Sequence, residues 1–251
     1  MIVREREDAF IMIDQHHHAS ISGQLFEWIK EDFTIKNKKE RNSIRLAIDL
    51  HDVGWKPFDL SPMWNDKKNI PYDFITLPNT IKSVLYKNGI DIVAQKNNYA
   101  TLLCSHHYVR FLQKDSNTCS KQFVQSEKER QANIIKEFNF FHNERFLTHY
   151  ELLQFFDNLS LFICLHETNP SDEDIHFFFK NGIKLPELYG GGSMQLNWQN
   201  NRITLNTPIF AEPVSINLQQ KVITKAAINE MGVLNAWENT PYEASQLIVV
   251  S

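Results

Sequence analysis

Cysteine is scarce and scattered in this chain. Cys104, Cys119 and Cys164 are odd in number, widely spaced, and form no Cys-x-x-Cys. That excludes a zinc ribbon and a disulfide frame, and it predicts reduced thiols in a cytoplasmic protein. A basic excess is also lacking. With 26 Lys and Arg against 30 Asp and Glu, the net charge is -4, so no general nucleic-acid partner is expected, because phosphate backbones need a positive field. No apolar run reaches the roughly 18 residues of a membrane helix. The first eight residues are charged and alternating with no apolar core behind them, which predicts neither an export signal nor a membrane partner. Repeats, low-complexity tracts and long linkers are absent too.

What remains is an ordinary globular composition, 42% hydrophobic and 22% charged over 251 residues. That is enough to bury a full core, and a single domain over residues 1–251 is expected. Ile2-Val3-Arg4 and Phe10 to Ile13 are β-prone runs separated by charge, the pattern of a hairpin. Helical spacing then predicts helices from about His18 to Lys30 and Glu40 to Val53, the second closed by Gly54. A long segment with Pro57, Pro62, Pro71 and Pro78 carries Trp55, Phe58, Trp64, Tyr72 and Phe74, the composition of a cover over a site. Further helices are predicted over about Asn79 to Tyr86, Asn98 to Gln113 and Ser126 to His142. Thr148 and Glu151 read as a capping box before the apolar helix Leu152 to Leu165. Gly190 to Gly192 lack a following Lys-Ser/Thr and read as a turn, not a phosphate cradle. Short β-prone runs follow at Gln195 to Trp198, Arg202 to Leu205, Val214 to Leu218 and Gln246 to Val250, with a helical or irregular stretch from Ala226 to Trp237.

Four polar residues stand where this pattern predicts core. His18 heads the stripe His18, Ile21, Leu25, Trp28; His51 and Asp52 continue the apolar face of Ile44, Ala47 and Ile48. Asp157 lies among Leu153, Ser160, Leu161 and Cys164 in the most apolar helix. A lone inward histidine is more often a core residue bonded to a carbonyl, and a lone inward aspartate often a cap. Two of each, on separate helices, make one divalent metal the economical reading, since buried carboxylates are costly without a cation. Imidazole and carboxylate donors suit Mn, Fe, Zn, Ni or Co, and less well Mg.

The same residues carry a resemblance. His18 opening a helix, Leu46-Ala47-Ile48-Asp49-Leu50-His51-Asp52-Val53-Gly54, and Asp157 in Phe156-Asp157-Asn158-Leu159-Ser160 resemble the His…His-Asp…Asp signature of the HD-domain metal-dependent phosphohydrolases. It spans about residues 16 to 166, with a β-containing extension over about 187 to 251. The whole chain is also similar to a bacterial family of about this length known only as a domain of unknown function. The HD resemblance implies a mainly α helical bundle with small β segments from the two chain ends. It implies one divalent metal on His18, His51, Asp52 and Asp157, and a small-molecule phosphate ester, such as a nucleotide, as substrate.

In many HD relatives a Lys follows His-Asp-x-Gly; here Trp55 holds that place and Lys56 comes one later. Lys56 is a substrate-binding candidate on that ground. Two-metal relatives use two further separated histidines, whereas His106 and His107 are adjacent and His142 and His149 come much later, so a mononuclear site is expected. The stripe Tyr99, Leu102, Leu103, His106 turns His106 inward, to bind phosphate, act as general acid or add a ligand, or simply to serve as a buried structural histidine. The roles of His107, His142 and His149 stay open. Arg110, one turn on, is a candidate for phosphate contact or a solvated arginine. Asp52 would orient the attacking water while ligating. The leading expectation is a phosphohydrolase with Asp52 and His106 as catalytic residues. The alternative is a non-catalytic metal- or ligand-binding sensor, and an iron oxygenase stands third. A homo-oligomer is compatible with all three.

Overall fold

The computed structural model describes residues 1–30, 35–138 and 141–251. The chain opens with β1 (Ile2–Glu5) and β2 (Ala9–Ile13), the expected hairpin, paired antiparallel from Ile2 opposite Ile13 to Glu5 opposite Phe10. β2 continues the sheet on its other side, against the 11-residue β9 (Val214–Thr224), from Ala9 opposite Thr224 to Met12 opposite Lys221. β9 in turn pairs antiparallel with β10 (Glu243–Val250), β10 runs parallel to β8 (Arg202–Leu205), and β7 (Leu196–Gln199) closes the edge. The order is β1-β2-β9-β10-β8-β7.

This corrects the expected mainly α bundle with small β segments. Of the described residues 51% are helical and 19% in strands, and six of the strands form one curled sheet. Short runs taken singly do not reveal such a sheet. Gln219, Gln220 and Lys221 break the apolar pattern of β9, so only Val214 to Leu218 read as strand, although buried and exposed residues alternate well beyond it. All five residues of β2 are buried, as befits a strand covered on both faces. α1 (Gln15–Glu27) and α7 (Asn143–Leu165) lie against β9 and β1, and α8 (Lys225–Asn239) against β9 and β2.

The helical layer is completed by α2 (Lys38–Leu50), a 3-10 turn at Val53–Trp55, α3 (Lys56–Leu60), α4 (Asn79–Ala94), α5 (Asn98–Leu112) and α6 (Thr118–Glu137). Among the described residues no helix is long and apolar enough to cross a membrane. Asn37, Asn97, Asn117 and Thr224 each accept from a backbone N–H in the first turn of the helix they precede, caps worth about 1 kcal/mol apiece. The Asn117 cap starts α6 eight residues before the expected Ser126. The stretch 139–140, inside the expected Ser126 to His142 helix, lies outside the described residues. α4 continues past Tyr86 to Ala94. The capping box at Thr148 and Glu151 is not formed. α7 starts at Asn143, Thr148 Oγ1 donates to the Glu144 carbonyl at 3.2 Å, and Glu151 accepts from Lys184 and from the backbone of Glu187.

Two short hairpins, β3 (Trp64–Asn65) with β4 (Ile70–Pro71) and β5 (Ile183–Lys184) with β6 (Ser193–Met194), stand apart from the main sheet. Gly190, Gly191 and Gly192 have φ of 95°, 66° and 81° on the way into β6. Three successive left-handed residues make the expected turn and explain the triple glycine.

Candidate metal centre

Four backbone elements bring the polar core residues together. α1 begins where β2 ends, so Gln15 and His18, three apart, share its inner face at the first turn. α2 ends at Leu50 with His51 still in helical geometry, and Asp52 (φ −109°, ψ 20°) leaves the helix and leads into the 3-10 turn. His51 and Asp52 therefore sit at a bend, not inside a helix as expected. Gly54 makes that bend fit. A Cβ there would lie 2.1 Å from the Leu85 carbonyl oxygen and 2.8 Å from Gly89 N on α4. α5 supplies His107, Tyr108 and Arg110, and α7 supplies Asp157 and Ser160.

His18, His51 and Asp157 are buried and each offers a ligand atom within 4.8 Å of the others, a group that could bind a metal ion. Asp52 stands beside it. Its Oδ2 lies 2.7 Å from His18 Nε2 and 3.6 Å from His51 Nε2, while Asp157 Oδ1 lies 3.5 Å from His51 Nε2. Donor atoms bonded to one ion at about 2.0–2.2 Å stand about 3 Å apart, so these spacings fit a shared cation.

The imidazoles are held the right way round for one. His51 Nδ1 donates to the Ile48 carbonyl at 2.7 Å, which leaves Nε2 as the lone-pair nitrogen of the neutral ring. That Nε2 is buried without a hydrogen bond. His18 Nδ1 is held 2.8 Å from Ser160 Oγ, again turning Nε2 toward the acids. Asp52 is positioned by two more side chains. Tyr108 OH donates to Oδ1 at 2.6 Å and Gln15 Nε2 donates to Oδ2 at 2.9 Å.

The electrostatics ask for positive charge here. Burial resists charging His51, yet Asp52 and Asp157 outweigh it and raise its pKa to about 9. Burial likewise opposes ionisation of Asp157, but the His51 imidazole 3.5 Å from its Oδ1 holds it down at about 2. Asp52 is held below the ordinary carboxylate range in the same way, by His51 and His18 against burial. Without an ion the two acids retain a proton on His51; a divalent cation would satisfy them more fully. Arg110 Nη2, half-buried, pairs with Asp157 Oδ2 at 3.6 Å.

The other sequence candidates divide. Arg110 does reach the site. His106 does not: its ring packs 4.8 Å from Phe146 and 6.2 Å from Tyr150 and does not line the cavity beside the group. His107 takes the place expected for it, with its ring 5.3 Å from that of His51 and Nε2 3.7 Å from Asp157 Oδ2. Burial, reinforced by Arg110, lowers the His107 pKa to about 3, so the ring is neutral, and its Nδ1 has no hydrogen bond. Lys56 is exposed and does not line the cavity beside the group. His16 and His17, expected to be exposed, are half-buried, and His17 Nε2 accepts the Gln219 N–H at 3.0 Å. His149 bonds to Tyr99 OH at 2.7 Å, outside the centre. Gln15, Tyr108 and Ser160 also belong to the centre and are not among the sequence candidates. The i,i+3 spacings Gln15–His18 and Asp157–Ser160 could have pointed to two of them.

A cavity of about 410 Å³ opens onto the group, with Asp52, Asp157, His107 and Arg110 in its wall. The expected aromatic cover contributes Trp55 and Phe74 to that wall, whereas Trp64 packs edge-on against Phe10.

A family model described as a protein of unknown function (DUF3891) matches residues 1–225. The chain belongs to the DUF3891 family. No curated protein and no solved structure matches it. The DUF3891 match spans α1 to α7 and most of the sheet, so every residue of the candidate centre lies within it.

Proposed function

We propose that this DUF3891 protein is a metal-dependent phosphohydrolase acting on a small phosphate ester at a mononuclear site. His18, His51, Asp52 and Asp157 would hold the ion. One observation carries the reading: two imidazoles held through Nδ1 turn their Nε2 atoms toward two buried carboxylates. The order of these residues along the chain is the His…His-Asp…Asp order in which the sequence resembles the HD-domain phosphohydrolases. A divalent ion bound there supplies Lewis-acid polarisation of a phosphoryl oxygen and lowers the pKa of water.

The protein's own side chains do the rest. Arg110 contributes a permanent positive charge facing Asp157, suited to phosphoryl oxygens. His107, neutral, offers a ring N–H to the same group, the role expected of His106. Asp52, fixed by Tyr108 and Gln15, orients the attacking water.

Protein purified without added metal, and then reconstituted, is expected to hold about one divalent ion per chain, falling below about a tenth in His51→Ala and Asp157→Ala. Hydrolysis across phosphomonoesters, cyclic nucleotides and nucleoside triphosphates should fall at least about a hundredfold in the same variants. Wild-type protein that holds no more metal than the variants would overturn the reading. One observation favours the sensor alternative. Trp55 is buried and Lys56 faces solvent, so the residues after His51-Asp52 bring no charge to the cavity. Saturable metal-dependent binding of these esters without turnover would select it.

A further inference from the structure

The cavity beside the His/Asp group has two kinds of wall. Toward Asp157 it is polar, with Arg110 and the His107 ring. The rest of its lining sets Trp55, Phe74 and Leu161 inside and Ile75, Phe111 and Phe178 at the rim among polar Gln15, Asn79, Lys82, Tyr108 and Asn158. Those three rim side chains are 39%, 47% and 43% exposed. Single exposed apolar residues are ordinary, but three around one opening mark a surface that an apolar ligand covers. The apolar surface begins directly beside the polar end, since the Phe111 ring lies 5.0 Å from that of His107 and the Arg110 guanidinium sits 4.5 Å over it.

Several polar groups of the wall are already engaged. Tyr108 donates to Asp52, Asn79 to Asp115 at 2.8 Å, and Lys82 to the Ile75 carbonyl at 2.9 Å. A ribose or a base edge would bring hydroxyl and amide groups into this surface and leave polar atoms poorly matched, which a binding site penalises. An aromatic ring would meet Phe74, Phe111 and Phe178 at no such cost.

We infer that the site takes the phosphomonoester of an apolar, preferentially aromatic, alcohol and not a nucleotide; this deepens the phosphohydrolase reading and rests on it. Water oxygen bonds to phosphorus, the ester P–O bond breaks, and the departing alkoxide takes up a proton, giving an alcohol and inorganic phosphate with no change of oxidation state.

The test compares manganese-loaded protein on ethyl phosphate, phenyl phosphate, 1-naphthyl phosphate and adenosine monophosphate. The aryl esters are expected to exceed the nucleotide at least about tenfold in kcat/KM. Phe111→Ala and Phe178→Ala, both at the exposed rim, should raise the aryl KM about tenfold and shrink the aryl-over-ethyl preference. A nucleotide turned over as well as the aryl esters, or a preference untouched by both variants, would overturn the inference while leaving a phosphohydrolase in place. If no ester is turned over, the phosphohydrolase reading fails, and calorimetry with phenylphosphonate and methylphosphonate decides the chamber separately. Tighter phenylphosphonate binding that Phe178→Ala weakens supports an aromatic anion site. Equal affinity for the two phosphonates rejects it.

Discussion

His18 and His51 owe their orientation to hydrogen-bond partners outside the centre, a serine on α7 and a backbone carbonyl one turn back on α2. Holding Nδ1 in this way turns each Nε2 toward the acids before any ion arrives. His107 differs: its Nδ1 is unpartnered and its ring is neutral, which suits it to a ligand and not to an internal bond. Substitution of the adjacent histidines should separate them. His107→Gln is expected to lower kcat about a hundredfold, in the range for a lost catalytic hydrogen-bonding group. His106→Gln, whose ring lies against Phe146, is expected to change kcat less than about threefold while lowering the melting temperature. Steady-state kinetics on both variants reads the difference, and equal losses would remove His107 from its assigned role. The four proposed ligands were legible in the sequence because each interrupts an apolar stripe. The choice between His106 and His107 was not. α5 is buried over nearly its whole circumference from Ala100 to Ser105 and again from His107 to Val109, so helical spacing selects no single face.

At the scale of elements, the bend after α2 sets the centre. It needs a residue without a side chain at Gly54, because α4 approaches there through the Leu85 carbonyl and Gly89. Gly54→Ala is expected to push the bend off α4, at a cost of about 1–3 kcal/mol in unfolding free energy, and to weaken metal binding by displacing His51 and Asp52. Urea unfolding and metal competition on the same variant check both effects; stability lost with metal affinity intact would show that the bend does not position the ligands. The sequence showed a glycine closing a helix at this point but not that a second helix rests on it. The Thr148–Glu151 pair shows the converse error. A cap signature inside a longer helix has its backbone partners already taken, so Thr148 turns to a carbonyl within α7 instead.

For the molecule as a whole, stability should depend on acid. His149 is buried and bonded to Tyr99, and burial, reinforced by Arg145, lowers its pKa from 6.5 to about 4. A histidine depressed in the folded state binds its proton more readily when unfolded. Its contribution is therefore complete above pH 6.5 and is lost as pH falls from there toward 4. The urea midpoint is expected to drop across that window, and to drop less in His149→Gln. Identical profiles for the two proteins would assign the acid sensitivity elsewhere.

The sequence by itself determined the chemistry of the centre: which histidines and aspartates break apolar faces, the N-terminal hairpin, and the left-handed turn at Gly190 to Gly192. All are local properties, readable from spacing and from what each residue type permits. Only the tertiary structure decided that strands from the two ends of the chain build one six-stranded sheet, that His107 and not His106 faces the acids, and that Gln15, Tyr108 and Ser160 bond to His18 and Asp52. Hydrophobic spacing reports which side of a segment avoids water. It carries no information on which distant segment will cover that side, and the sheet order and the meeting of α1, α2, α5 and α7 around one group of donors depend on that pairing.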